Sequence, residues 1–232
     1  TPLVTIIPAQ SSIGLPTETI APTAGPTQPP EASSTSAPNP LPSSTPTGES
    51  ASFTPFQATV SVDGVKMRTN PGYLFPALGQ LAQGARLIVL GKSAGTEWVY
   101  ARTEAGSQGW VFAQLVRADQ DLKTAPSVEP GNVQILRGRV VDTSGLGVNG
   151  LQFAITQSDQ RTDATTGDDG VFYAFLPEDA HGDWSVAYTA MSSDSRIMNP
   201  DGTCLGGSCK GVTPPEMLVN LPTTLVLNFT LP

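Results

Sequence analysis

The chain has 232 residues, a net charge of −8, and 22 prolines and 23 glycines against only 6% aromatic residues. So acidic a balance excludes indiscriminate binding to nucleic acid or to an anionic membrane. No run approaches the roughly 20 apolar residues of a membrane-spanning helix, and frequent glycine with sparse aromatics points to small β domains rich in turns.

Of the 22 prolines, 11 fall in the first 50 residues, among Thr, Ser and Ala. Such a stretch buries too little apolar surface to offset the entropy of ordering it, and its prolines favour extended polyproline II. Residues 1–52 are therefore predicted to be an extended tail. Within it, residues 1–20 carry Leu3, Val4, Ile6, Ile7, Ile13, Leu15 and Ile20, whereas 21–50 hold only Leu41 of that kind. Two readings fit the cluster: a segment that docks, for example as a strand added to another subunit's sheet edge, or the remnant of a segment adjoining a membrane anchor. The start at Thr1 without Met reads as a processed or truncated product, a removed signal peptide being one natural cause.

Residues 57–118 read as short strands separated by turns. Ala58 to Val62 leads in, and Val65 and Met67 share one face of an alternating strand ending at Arg68. Asn70-Pro71-Gly72 is a turn, because Pro fixes φ and Gly accepts positive φ. Leu87-Ile88-Val89-Leu90 is an apolar run, followed by Trp98-Val99-Tyr100-Ala101 and Gly109-Trp110-Val111. This ordered series, Val65 to Gly72, then Leu78-Gly79-Gln80-Leu81 and Gly84-Ala85-Arg86-Leu87, then the tryptophan strand and the Gly-Trp-Val ending, resembles the bacterial SH3-like family. Lys66, Met67 and Asn70 depart from its usual residues. The resemblance implies a small barrel over residues 53–119 that either binds cell-wall peptide or glycan or acts as a spacer.

Residues 120–131 read as a second linker, and residues 132–232 as another β module. Val133 to Val141 is a predicted strand; Leu151, Phe153 and Ile155 alternate; Gly167-Asp168-Asp169-Gly170 is a tight turn before Val171 to Pro177. Trp184, Val186 and Tyr188 alternate, as do Leu225, Leu227, Phe229 and Leu231. The pattern is that of a β-sandwich. Its Gly138-Arg139-Val140-Val141-Asp142, Thr165 to Phe172, Leu176-Pro177 and Gly182-Asp183-Trp184-Ser185-Val186 resemble the carboxypeptidase regulatory-like family of prealbumin-like, Ig-like sandwiches. That resemblance implies a non-catalytic domain used for spacing or adhesion, here with an insertion from Thr189 to roughly Leu221. The expected fold class is thus all-β: extended tail, SH3-like barrel, prealbumin-like sandwich.

The insertion carries Cys204 and Cys209, the only cysteines. Their close, Gly-containing spacing favours a local disulfide in an oxidising compartment over a metal pair, since two thiols and the distant His181 leave a tetrahedral site incomplete. Asp168 and Asp169 lack calcium-loop spacing and suit the turn for backbone reasons. His181 lies in a turn with no nucleophile motif nearby. Asn228-Phe229-Thr230 fits the glycosylation acceptor pattern but falls in the expected last strand. Trp98 and Trp110 suit a core, while Tyr73 and Phe75, after the Pro-Gly turn, and nearby Arg68 are the candidate ligand contacts.

No catalytic constellation, cofactor site or metal site is expected. Charge is uneven: residues 51–120 hold six bases and four acids, a net +2, and residues 121–232 hold six bases and thirteen acids, a net −7. The expectation is a secreted, extracellular or cell-surface, non-enzymatic protein. Self-association into a filament or layer through the tail is favoured over a cell-wall-binding module acting through the barrel.

Overall fold

The computed structural model describes residues 53–199, 203, 204 and 211–232. The tail residues Leu3, Val4, Ile6, Ile7, Ile13 and Leu15 lie outside the described residues, as does Cys209.

Residues Ser50–Pro232 form one compact unit. Its first part is a seven-stranded antiparallel sheet built from β1 (Phe56–Val60), β2 (Val65–Arg68), β3 (Ala77–Leu81), β4 (Arg86–Lys92), β5 (Trp98–Thr103), β6 (Gln108–Phe112) and β7 (Val116–Ala118), in the order β3-β2-β6-β5-β4-β1-β7. The period-2 pattern of β1 buries Phe56, Ala58 and Val60 and exposes Gln57 and Thr59. These pack with Val65, Met67, Leu87, Val89, Val99, Ala101 and Val111. The turn after β2 forms as the sequence predicts, with Gly72 at φ +116°.

Seven more strands make a β-sandwich: β8 (Val133–Asp142), β9 (Leu151–Gln157), β10 (Gln160–Thr165), β11 (Val171–Pro177), β12 (Gly182–Met191), β13 (Glu216–Leu221) and β14 (Val226–Leu231). One sheet runs β10-β9-β12-β13 and the other β11-β8-β14. Most neighbours are antiparallel, but β14 runs parallel to β8. Between the sheets Phe153 stacks on Phe172 with centroids 4.6 Å apart and meets Phe229 at 4.8 Å. Trp184, Val186, Leu136 and Leu176 complete the core. Each such side chain contributes about 1.5–3 kcal/mol by leaving water. Gly138 in β8 is dictated by this packing, because a Cβ there would lie 2.1 Å from the Phe172 ring.

Two expectations are corrected. The segment read as an insertion from Thr189 to Leu221 is shorter: β12 continues to Met191, and 216–221 return as β13, paired with β12 from Ala187↔Glu216 to Gly182↔Leu221. The segment 120–131 is bonded to the barrel along part of its length. Lys92 donates its N–H to the Pro126 carbonyl at 2.9 Å, Val128 donates to the Lys92 carbonyl at 2.8 Å, and Ala125 is buried. A Cβ on Gly91 would lie 2.3 Å from the Val128 side chain, so β4 presents bare backbone for the segment to lie against.

The barrel and the sandwich share a small aromatic core. Phe75, Trp98 and Trp110 from the barrel are buried with Phe175 from β11. The Pro-Gly turn tightens this seam, since a Cβ on Gly72 would come within 2.9 Å of the Phe175 carbonyl oxygen.

Candidate binding site

The site begins at the loop after β2. Arg68 donates from Nη1 to the Phe75 carbonyl at 2.6 Å, which folds the loop back across its own strand. The same guanidinium lies over the Tyr73 ring, 5.7 Å from its centroid. Tyr73, 39% exposed, meets Trp98 edge-on at 5.3 Å and Phe112 at 5.8 Å. Aromatic pairs at such tilts are favourable beyond the area they bury, so the wall is pre-organised. With Val62, Val65, Lys66 and Leu115 these residues enclose a groove of about 250 Å³.

Of the three residues the sequence nominates, the structure brings Arg68 and Tyr73 together in this groove. Phe75 is elsewhere. It is 6% exposed and packs beneath the site against Trp98, Trp110 and Phe175. Side chains two apart on a bent loop take opposite surroundings, and the inner one is consumed by the seam. Trp98 serves twice: it is 2% exposed and belongs to the seam, yet it also lines the groove.

Tyr73 and Phe112 also line a second cavity of about 300 Å³, with Glu97 and Gln114 from the barrel and Gln152, Arg161, Asp163, Thr165 and Thr189 from the sandwich. Strand register explains the sandwich side. Pairs Thr162↔Ile155 and Ala164↔Phe153 share the core face, so Asp163↔Ala154, Arg161↔Thr156 and Thr165↔Gln152 share the outer one. The β9–β12 register shifts between Tyr188 and Ala190, placing Thr189 at an irregularity from which its hydroxyl donates to the Gln152 carbonyl at 3.1 Å. Re-aiming a side chain is a common role of such bulges. Arg161 clamps Asp163 from Nε at 3.0 Å and Nη2 at 2.6 Å.

A third cavity of about 380 Å³ continues from Glu97, Gln114 and Thr165 towards Asp121, Lys123, Asn149, Asp168, Ser192 and Asp194. Lys123 pairs with Asp168 across it. Asp169, also exposed, accepts instead from the Val171 N–H at 3.0 Å, the turn role its position implies. Arg196 holds the loop after β12 against the body, through Asp142 at 2.5 Å and the Gly147 carbonyl at 2.9 Å. His181 is exposed, its Nδ1 2.8 Å from the Asp179 carbonyl oxygen.

Glu97, which sequence reasoning missed, sits where the two polar cavities meet. Burial pushes its carboxyl up to about 7; Thr165 hydrogen bonds oppose this and the Asp163 carboxylate adds to it. The Tyr73 hydroxyl is pushed up to about 12, chiefly by burial and then by Glu97 and Asp163, with Arg68 acting the other way. A carboxyl with a raised folded pKa makes the folded state the stronger proton binder between about 4.5 and about 7. Its contribution to stability is therefore complete below the lower value and lost as the pH rises through the upper one. Glu97→Gln, neutral throughout, is expected to flatten the fall in thermal midpoint between about pH 5 and pH 8, and to recover on the order of 3 kcal/mol at the alkaline end. Thermal melts of both proteins over that range check it, and an unchanged slope in the variant would contradict the assignment.

Among solved structures, the chain is similar to one titled "The Bacillus anthracis TIE protein", at 14% identity and a TM-score of 0.29, covering 76% of this chain and 34% of that one. The chain thus spans about a third of that protein's length. No curated protein matches the sequence. Residues 63–117 match the family model described as bacterial SH3 domain, so the span from just before β2 into β7 carries a bacterial SH3 domain.

Proposed function

We propose that this is an extracytoplasmic, non-enzymatic protein whose barrel holds cell-wall material in the groove walled by Tyr73, Phe112 and Trp98. The observation that carries the reading is the part-exposed Tyr73 ring, held edge-on and tilted against Trp98 and Phe112 with the Arg68 guanidinium over one face. Such a ring is a platform for a sugar face or a peptide side chain. The bacterial SH3 match supports it at the level of family. The sandwich acts as a spacer, and the parallel pairing of β14 with β8 supports a prealbumin-like arrangement. A bridge between Cys204, which is buried, and Cys209 belongs to the same proposal, because it needs an oxidising compartment. The peptide mass before and after reduction reads it.

The direct test is co-sedimentation of the purified chain with isolated peptidoglycan. Tyr73→Ala is expected to lower the retained fraction at least tenfold, while melting as a folded protein. Equal retention of the variant, or no retention of the parent chain, would remove the groove from the account.

A second reading, assembly into a surface filament or layer, is favoured by the aliphatic cluster Leu3, Val4, Ile6, Ile7, Ile13 and Leu15 within an otherwise Pro/Thr/Ser-rich tail. Burying four or five such side chains on a neighbour contributes about 1.5–3 kcal/mol each before ordering costs. Sedimentation velocity with and without residues 1–20 separates the two. Polymers that vanish on truncation point to assembly, and a monomer that still binds peptidoglycan points to the groove.

A further inference from the structure

The groove does not end at the barrel. Tyr73 and Phe112 line both the groove and the central cleft, and Glu97, Gln114 and Thr165 line both the central cleft and the third cavity. We propose that the three form one composite trough that takes a neutral glycan strand, with the sandwich supplying its hydrogen-bonding floor through Gln152, Thr165 and Thr189. The proposal rests on the cell-wall-binding reading above and adds to it a ligand class and a second contributing domain.

Three features select a glycan over other ligands. Sugars offer a weakly apolar C–H face on one side and hydroxyls that both donate and accept on the other. The trough offers an aromatic wall opposite the Gln114 and Gln152 amides, which donate and accept, and the Thr165 and Thr189 hydroxyls, whose oxygens still accept. Second, the ion pair that faces the central cleft is matched internally, Arg161 donating from Nε and Nη2 to Asp163 Oδ1, so the pair adds no net charge to the cleft that would select a charged end group. The Glu97 carboxyl, pushed up to about 7, keeps its proton through mildly acid pH and serves as a donor as well as an acceptor. Third, the floor side chains stand on the outer face of the β10-β9-β12-β13 sheet, Gln152 and Thr189 on the inner strands β9 and β12 and Thr165 on the edge strand β10. A face offers no row of free N–H and C=O groups, which is what an extended peptide uses when it adds to a sheet. The third cavity alone lies within the roughly 300–1,000 Å³ of small-ligand sites, so the trough has room for more than one sugar ring.

The test uses the full chain, a β-1,4-linked N-acetylglucosamine tetramer as the glycan probe, and a free stem tetrapeptide as the peptide probe, each titrated by calorimetry. The tetramer is expected to bind. Gln152→Ala and the nearly isosteric Thr189→Val are each expected to weaken it about three- to tenfold, the usual worth of one hydrogen bond. Both substitutions lie outside the barrel, so an unchanged thermal midpoint shows that the fold is intact. Should either variant melt early, Thr165→Val, on the same floor, replaces it. Tetramer affinity unchanged in these variants, while Tyr73→Ala abolishes it, would overturn the composite trough and leave the barrel reading standing. Tighter binding of the tetrapeptide, sensitive to the same variants, would overturn the glycan assignment. No binding of the tetramer by a chain that still sediments with whole peptidoglycan would do the same. Failure to sediment with peptidoglycan at all would remove both readings.

Discussion

Gly170→Ala is expected to abolish cooperative folding of the sandwich, or to cost more than about 4 kcal/mol if any folded state survives, beyond the usual range for a point substitution. The residue closes the tight turn before β11 with φ +76°. A Cβ there would lie 2.3 Å from the Val140 carbonyl oxygen, 2.6 Å from the Gly147 Cα and 2.7 Å from the Val148 nitrogen. All three are backbone atoms of neighbouring segments, and none can yield by a change of rotamer. Moving them would break the bond from the Val140 N–H to the Gly170 carbonyl, 2.8 Å, and that from the Val148 N–H to the Val140 carbonyl, 3.0 Å. Gly145 is the control. It has a similar φ, +82°, but nothing within 4 Å of its would-be Cβ, so Gly145→Ala carries only the backbone penalty of about 1–2 kcal/mol. Urea denaturation of the two variants decides the matter. A Gly170 variant as stable as the Gly145 variant would show that crowding, and not φ, had been misjudged.

Phe175→Ala is expected to uncouple the barrel from the sandwich. The ring is 1% exposed and is the buried sandwich contribution to the seam with Phe75, Trp98 and Trp110. Truncating a buried phenylalanine to alanine costs about 3–5 kcal/mol through lost transfer energy and the cavity left behind. Here the loss falls on the shared core and spares the two larger ones. Calorimetry of the parent chain should give one transition, and of the variant two, with the less stable part melting first. A single transition merely shifted down would mean that the bonds between 120–131 and β4 suffice to couple the parts. Because Trp98 belongs to this seam and Tyr73 packs on Trp98, the variant should also bind peptidoglycan more weakly, without any change to a groove residue.

What the sequence determined by itself is what local periodicity can encode. Val171 to Pro177 is an apolar run from a tight turn to a proline, and is a strand over that whole range. Val133 to Val141, the Trp98 and Gly109-Trp110-Val111 segments, and the alternating Leu227, Phe229 and Leu231 are likewise strands, whereas Leu225, included in the same alternation, lies just before β14 and is 69% exposed. Their side chains must reach one face whatever lies opposite, so the pattern is legible without knowing the partner. The turn at Asn70-Pro71-Gly72 and the burial of Trp98 and Trp110 were legible for the same kind of reason.

Strands β10 and β13 were not. Gln160–Thr165 buries only Thr162 and Ala164, small residues that leave no apolar period, and Glu216–Leu221 owes its place to pairing with β12. The choice between Tyr73 and Phe75 was also beyond local reading. Two aromatics in one loop are equivalent until Arg68 bends the loop and Phe175 claims the inner ring. The trough itself is a long-range construction. Glu97 and Asp163, Gln114 and Gln152 meet only because the barrel packs across the outer face of the β10-β9-β12 sheet. The raised pKa of Glu97 follows from that burial and from no property of its neighbours in the chain.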